Sequence, residues 1–196
     1  MIPLLSRMTN IVPEQMATTV AAKITVRDGS QITGYLTLPN TYEPGQKLPS
    51  IILPHGGPSS RDTADWDYWA QFYANRGYAV LKPNFRGSTG YGIVFEQKGK
   101  QEWGGLMQDD VTDATNWLVS EGIADPSRIC IVGASYGGYA ALMGTIKEQN
   151  LYACAISVNG VPNIPKIKTY DKGFVGGKSW VDTMRRQGFD DTEISP

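Results

Sequence analysis

Histidine is nearly missing from this chain: its 196 residues contain one, His55. A histidine-rich metal centre is therefore excluded, and any serine–histidine chemistry has one candidate base within the sequence. Cysteine is almost as scarce. Cys130 and Cys154 lie in the apolar runs RICIVG and YACAISV, too few for a disulfide scaffold or a cysteine zinc site. They are expected to be reduced core residues, since pairing would need two neighbouring strands to present them face to face. Charge of one sign is lacking too: 18 basic and 19 acidic residues give a net charge of −1. The short basic patches Lys98/Lys100, Lys166/Lys168 and Arg185/Arg186 are separated, so no nucleic-acid partner is expected. No apolar run reaches 18 residues, which speaks against a spanning helix. The start, MIPLLSRMTNIVPEQ, has no long apolar stretch of the secretory kind, so the expected setting is cytoplasmic and no membrane partner is expected. No phosphate loop or dinucleotide fingerprint is present, because the glycines at 87, 90 and 92 run in the wrong order, and no cofactor is expected.

What is present is an ordinary globular composition, 41% hydrophobic, long enough for one domain with a core. Residues 1–20 carry no clear periodicity and read as a linker. Residues 22–27 and 31–38 are β-rich and joined by Asp28-Gly29, a hairpin signal. The run Ser50–Pro54 predicts a strand buried on both faces. Trp66, Trp69 and Tyr73 share a helical face over 63–76, and Gly77 closes it. Tyr78–Pro83 predicts a strand, and 107–121 a helix with Asp109 and Asp110 in its first turn. Asp125-Pro126-Ser127 reads as a turn. Two further strands are expected at 128–132 and 152–158, with a helix between them to about 149. Ser179 is expected to cap a last helix reaching Gly188. Strands alternating with helices predict a mostly parallel sheet with helices on both faces.

The chemistry is carried by Gly133-Ala-Ser-Tyr-Gly137-Gly138. An apolar β-branched run precedes it and a helical stretch follows. Strand, G-x-S-x-G, helix is the nucleophile elbow of an α/β-hydrolase, with Ser135 as nucleophile. The serine sits on a sharp strand-to-helix turn, so its neighbours must be small, and Gly133 and Gly137 supply that room. The N–H of Tyr136 opens a helix and is aimed at a developing oxyanion. Pro54-His55-Gly56-Gly57-Pro58 follows the strand at 50–54, where such folds place a second oxyanion donor. Gly57 is the candidate for that N–H, with Gly56 as the alternative. His55 precedes the serine, whereas a triad histidine follows serine and acid in this fold, so its expected role is to shape the loop by hydrogen bonding.

With these motifs in hand, the chain resembles the catalytic domain of the prolyl oligopeptidase family of serine peptidases, most of all its acylaminoacyl-peptidase-like branch. The residues that carry the resemblance are His55-Gly-Gly-Pro58, then Pro83-Asn-Phe-Arg-Gly-Ser-Thr-Gly-Tyr-Gly92. Trp103-Gly-Gly105 with Asp109-Asp110 and Gly133-Ala-Ser-Tyr-Gly-Gly-Tyr139 complete them. The resemblance runs from about residue 20 to the end. It implies an acyl-enzyme on Ser135, an oxyanion hole from the N–H groups of Tyr136 and Gly57, and short peptides or N-acylated amino acids as substrates. Residues 1–20 would then be the remnant of a preceding propeller, and 21–196 the N-terminal part of the hydrolase domain.

The departures from the family pattern are as definite. Only 61 residues follow Ser135 (196 − 135), and the family's triad Asp and His are expected beyond residue 196. Asp190 and Asp191 are expected to be helix-cap or surface acids. The expectation is thus an incomplete α/β-hydrolase fold, very low activity for the isolated chain, and self-association through a bare edge at 152–158. Tyr170 and Trp180 are candidates to line the substrate pocket. A carboxylic-ester hydrolase of the same fold, or a catalytically dead binding fragment, remain alternative readings.

Overall fold

The computed structural model describes residues 11–184 and 190–196. Six strands form one sheet: β1 (Thr19–Thr25), β2 (Gln31–Thr37), β3 (Leu48–Ile52), β4 (Ala79–Asn84), β5 (Ala124–Ala134) and β6 (Cys154–Val158). Their order is β1-β2-β4-β3-β5-β6. The first two are the predicted hairpin, closed by Gly29 at φ +80° and by Ser30 N–H donating to Asp28 Oδ1. β2 meets β4 antiparallel, and β4, β3, β5 and β6 run parallel. The mostly parallel α/β sheet expected from the sequence is therefore present.

Six helices accompany it among the described residues: α1 (Tyr68–Ala74), α2 (Ile93–Gln97), α3 (Leu106–Ser120), α4 (Tyr136–Lys147), α5 (Ile164–Asp171) and α6 (Gly177–Met184). Alternation along the strands sorts the core into two layers. Ile52, Leu81, Ile129 and Ile131 face α3 and α4, with Met107, Leu118 and Ala140 among their partners. Ile51, Val80 and Val132 face the other way, toward Ala70, Trp69 and Tyr73 of α1. The central strands are apolar at consecutive positions because both faces are covered.

Several boundaries differ from the sequence reading. α1 starts at Tyr68, because Asp67 caps it by accepting from Ala70 N–H; Trp66 therefore lies outside the helix. The residues read as a turn, Asp125–Ser127, form a bulge inside β5, between the pairs Leu48/Ala124 and Ser50/Ile129. Ser179 does not cap the last helix but lies within α6; the expected end at Gly188, like Arg185/Arg186, lies outside the described residues. α2 and α5 are additional, and α5 is capped by Asn163, whose side chain accepts from Lys166 N–H, with Pro165 in the first turn.

The cysteines need the largest correction. Parallel pairing of β5 with β6 sets Cys130 directly beside Cys154, with Cα atoms 4.7 Å apart, and the two form a disulfide. In-register neighbours on parallel strands point to the same face, so the sheet itself supplies the face-to-face placement that pairing requires.

Candidate active site

β5 ends at Ala134 and α4 starts at Tyr136, leaving Ser135 alone on the turn between them. Its backbone adopts φ 55°, ψ −119°, a left-handed conformation unfavourable for a residue with a Cβ. The surroundings hold it there. Ser135 N–H donates to Val158 O at 3.0 Å, and Ser135 O accepts from Tyr139 N–H at 3.0 Å. The side chain is exposed while the residues from Tyr136 to Ala141 are buried. Gly133 and Gly137 pack against each other so closely that a Cβ on Gly133 would overlap the Gly137 backbone. A Cβ on Gly137 would strike Pro54 O, so the elbow and the loop after β3 share one contact.

That loop carries the second motif. A Cβ on Gly56 would stand 3.5 Å from Ser135 Cβ, which places the Gly-Gly segment beside Ser135. Gly57 adopts φ +127°, with Ser59 N where a side chain would begin. Neither the Gly57 nor the Tyr136 N–H has a backbone acceptor among the described residues. His55 is engaged at both ring nitrogens, Nδ1 with Gly56 O and Nε2 with Ser88 Oγ, each at 2.8 Å. Burial holds its imidazole well below the ordinary range, at about 4, despite the Gly56 contact that favours the cation.

The four sequence motifs meet in one aromatic row. His55 stacks on Phe85 at 4.4 Å; Phe85 contacts Tyr136, Tyr136 meets Trp103 edge-on at 4.6 Å, and Trp103 touches Tyr139. A buried ion pair braces the same region. Arg86 donates to both carboxylate oxygens of Asp110, at 2.6 and 2.8 Å, and to Asp28 at 3.0 Å. Burial pushes the Asp110 carboxyl up and the Arg86 hydrogen bonds oppose it; the same bonds raise the guanidinium further above its ordinary value. Asn84, in the glycine-rich motif, donates to Asp62 O and Tyr91 Oη, tying this loop down. Spacing alone reveals neither the aromatic row nor the Arg86–Asp110 bond; the shared signal was that the motifs are rich in aromatic and charged residues.

Beside Ser135 opens a cleft of about 510 Å³. Asn159, Val161, Ile167, Tyr170 and Trp180 line it with the serine, so both aromatic candidates lie in one cavity with Ser135. Asp171 also lines it and accepts from Trp180 Nε1 at 2.7 Å. Asp190 and Asp191 lie elsewhere. Asp190 is exposed and caps a turn through Thr192 N–H, and Asp191 pairs with buried Lys168. Among the described residues no group of three metal-ligating side chains is assembled. No described helix is long and apolar enough to cross a membrane.

The model of the prolyl oligopeptidase family matches residues 65–188. This chain belongs to the prolyl oligopeptidase family. It is 40% identical over 148 residues to the dipeptidyl aminopeptidase BIII of Pseudoxanthomonas mexicana, covering 72% of this chain and 22% of that protein. A puromycin-hydrolyzing peptidase of Mycobacterium tuberculosis superposes with a TM-score of 0.85 at 26% identity, over 98% of this chain and 31% of that one. An acylaminoacyl peptidase of Pyrococcus horikoshii shares the fold, with a TM-score of 0.80 at 24% identity, over 92% of this chain and 30% of that one. The chain thus spans between about a fifth and a third of the length of these relatives. As a prolyl oligopeptidase family member it is related to serine peptidases, and its fold is that of α/β-hydrolase peptidases.

Proposed function

We propose that this chain is the nucleophile-bearing part of a serine peptidase acting on short peptides or N-acylated amino acids. The observation that carries the reading is Ser135: exposed, held at positive φ at the head of α4, and lining the cleft. Ser135 Oγ attacks the scissile carbonyl and forms an acyl-enzyme. The N–H groups of Tyr136 and Gly57, both without backbone acceptors, take the developing oxyanion. Tyr136 adds the positive end of α4. The side chain on the acyl side of the scissile bond enters the cleft between Tyr170 and Trp180.

A serine needs a base to lose its proton. His55 does not serve, since both its nitrogens are committed to Gly56 and Ser88. The base and its orienting acid are those that the family pattern puts after residue 196, so this chain alone turns substrate over very weakly. Residues 1–20 are read as the exit from a preceding propeller and 21–196 as hydrolase domain. The setting is cytoplasmic. The apolar side chains on β6 favour pairing with a second copy of the chain.

Chromogenic amides of dipeptides and of N-acetyl amino acids, compared with matched esters, test the reading on the gene product as the organism makes it. Amide turnover abolished in Ser135→Ala is the expected result. Turnover of esters alone would favour the ester hydrolase, and turnover that survives Ser135→Ala would remove Ser135 from the chemistry. A folded protein without turnover or acylation would leave the binding fragment as the better account.

A further inference from the structure

We propose that Asp171 makes the Ser135 cleft selective for a cationic side chain, so that the substrate residue on the acyl side of the scissile bond is lysine or arginine. The inference rests on the reading that this residue occupies the cleft. Among the described residues lining it, only Lys166 and Asp171 carry charge. They sit in different circumstances. Lys166 is exposed, and a solvated ammonium on a long stem is screened by water and salt. Asp171 is half-buried and pinned, since its Oδ2 accepts from Trp180 Nε1 at 2.7 Å. Trp180 is itself fixed edge-on against Trp103, 5.9 Å between ring centres.

That carboxylate is available to a ligand. Among the described residues only Oδ2 is engaged by a side chain, and no cation pairs with Asp171. The buried lysine on the same helix, Lys168, is committed to Asp191. Asp171 therefore brings a fixed negative charge into the cavity that holds Ser135.

The rest of the lining suits the other half of such a side chain. Val161, Ile167 and Met184 offer apolar contact for the methylenes of lysine or arginine. Tyr170 and Trp180, on either side of Asp171 in sequence, add ring faces that attract a cation. Tyr170 is steadied by Phe174, 5.0 Å between ring centres. An uncharged side chain of the same length would strip water from Asp171 and return no hydrogen bond. An acidic one would meet a like charge. The preference for a cation is thus made both by attraction and by exclusion.

Binding tests this without turnover, on the natural gene product carrying Ser135→Ala. The probes are the methylamides of N-acetyl-lysine and N-acetyl-norleucine, which differ in the ammonium and carry no free α-amino group. Calorimetry should show the lysine compound bound more tightly by on the order of tenfold. Asp171→Asn keeps an oxygen for Trp180 and removes only the charge, so it should bring the two affinities together, whereas Asp171→Glu should retain the difference. Equal affinities before Asp171 is changed, binding of neither compound, or a lysine preference that survives Asp171→Asn would overturn the proposal. So would norleucine methylamide with a free α-amino group binding as tightly as the lysine compound, which would assign the charge to the substrate's N-terminus. Loss of turnover in Ser135→Ala is scored separately, so Ser135 can stand as nucleophile while the cation preference fails, and the reverse.

Discussion

The centre of the sheet and its β6 edge are built from similar residues in opposite circumstances. Ile131 on β5 is fully buried, whereas Ile156, on the neighbouring strand, is 47% exposed. At the centre, apolar side chains are covered on both faces, and the strand can hold Ser135 in a conformation it would not choose. At β6 one face is open, and order comes from the β5 ladder, the contact with α4 and the cystine. The difference teaches that the floor of the elbow is covered on both faces while its wall follows a strand covered on one.

The largest effect expected is at the centre. Replacing Asp110 by Ala should cost about 3–5 kcal/mol, because it leaves the Arg86 guanidinium buried and uncompensated; urea unfolding measures it. Ile131→Ala should cost about 2–5 kcal/mol, as buried large-to-small changes do, while Ile156→Ala should cost less than about 1 kcal/mol. Equal costs for these two would erase the comparison between centre and edge. Ile156→Lys should leave stability nearly unchanged and move the chain toward monomer in size-exclusion chromatography. An unaltered elution position would mean that β6 is not the associating surface.

A pH measurement sharpens the same contrast through the only histidine. His55 is held near 4, below its ordinary value of 6.5, so the unfolded chain binds the extra proton between those values. Its contribution is present above about pH 6.5 and is lost as pH falls through 4, amounting to roughly 3 kcal/mol. Asp62 runs the other way. Burial raises its carboxyl to about 6, against the pull of Lys82, so its contribution is present at low pH and is lost as pH rises through that value. The difference between wild type and His55→Gln isolates the histidine from Asp62. With one imidazole in the chain, its NMR titration is unambiguous; a midpoint near 6.5 would show the ring solvated and the His55–Phe85 stack absent.

Much of this was legible because local patterns and global fold agree. The Asp28-Gly29 turn, the doubly buried strands and the glycines around Ser135 each have a short-range physical cause, and each appears in the structure. The sequence also marked Tyr170 and Trp180 as pocket candidates, although nothing local joined them to Ser135. The misreadings are long-range or depend on a cap. Cys130 and Cys154 looked like separate core residues because strand order, not spacing, makes them neighbours. α5 was missed because Pro165 and the short apolar pattern hide a helix that Asn163 starts. The Asp125–Ser127 turn was real in its Asx bonding but was absorbed as a bulge in β5.

The account stands most directly on Ser135 as the acylated residue. Labelling the natural gene product with a fluorophosphonate and mapping the adduct by peptide mass spectrometry tests it. A single adduct on Ser135, absent in Ser135→Ala, is the result expected. An adduct on another serine, or none in a protein shown to be folded, would contradict it.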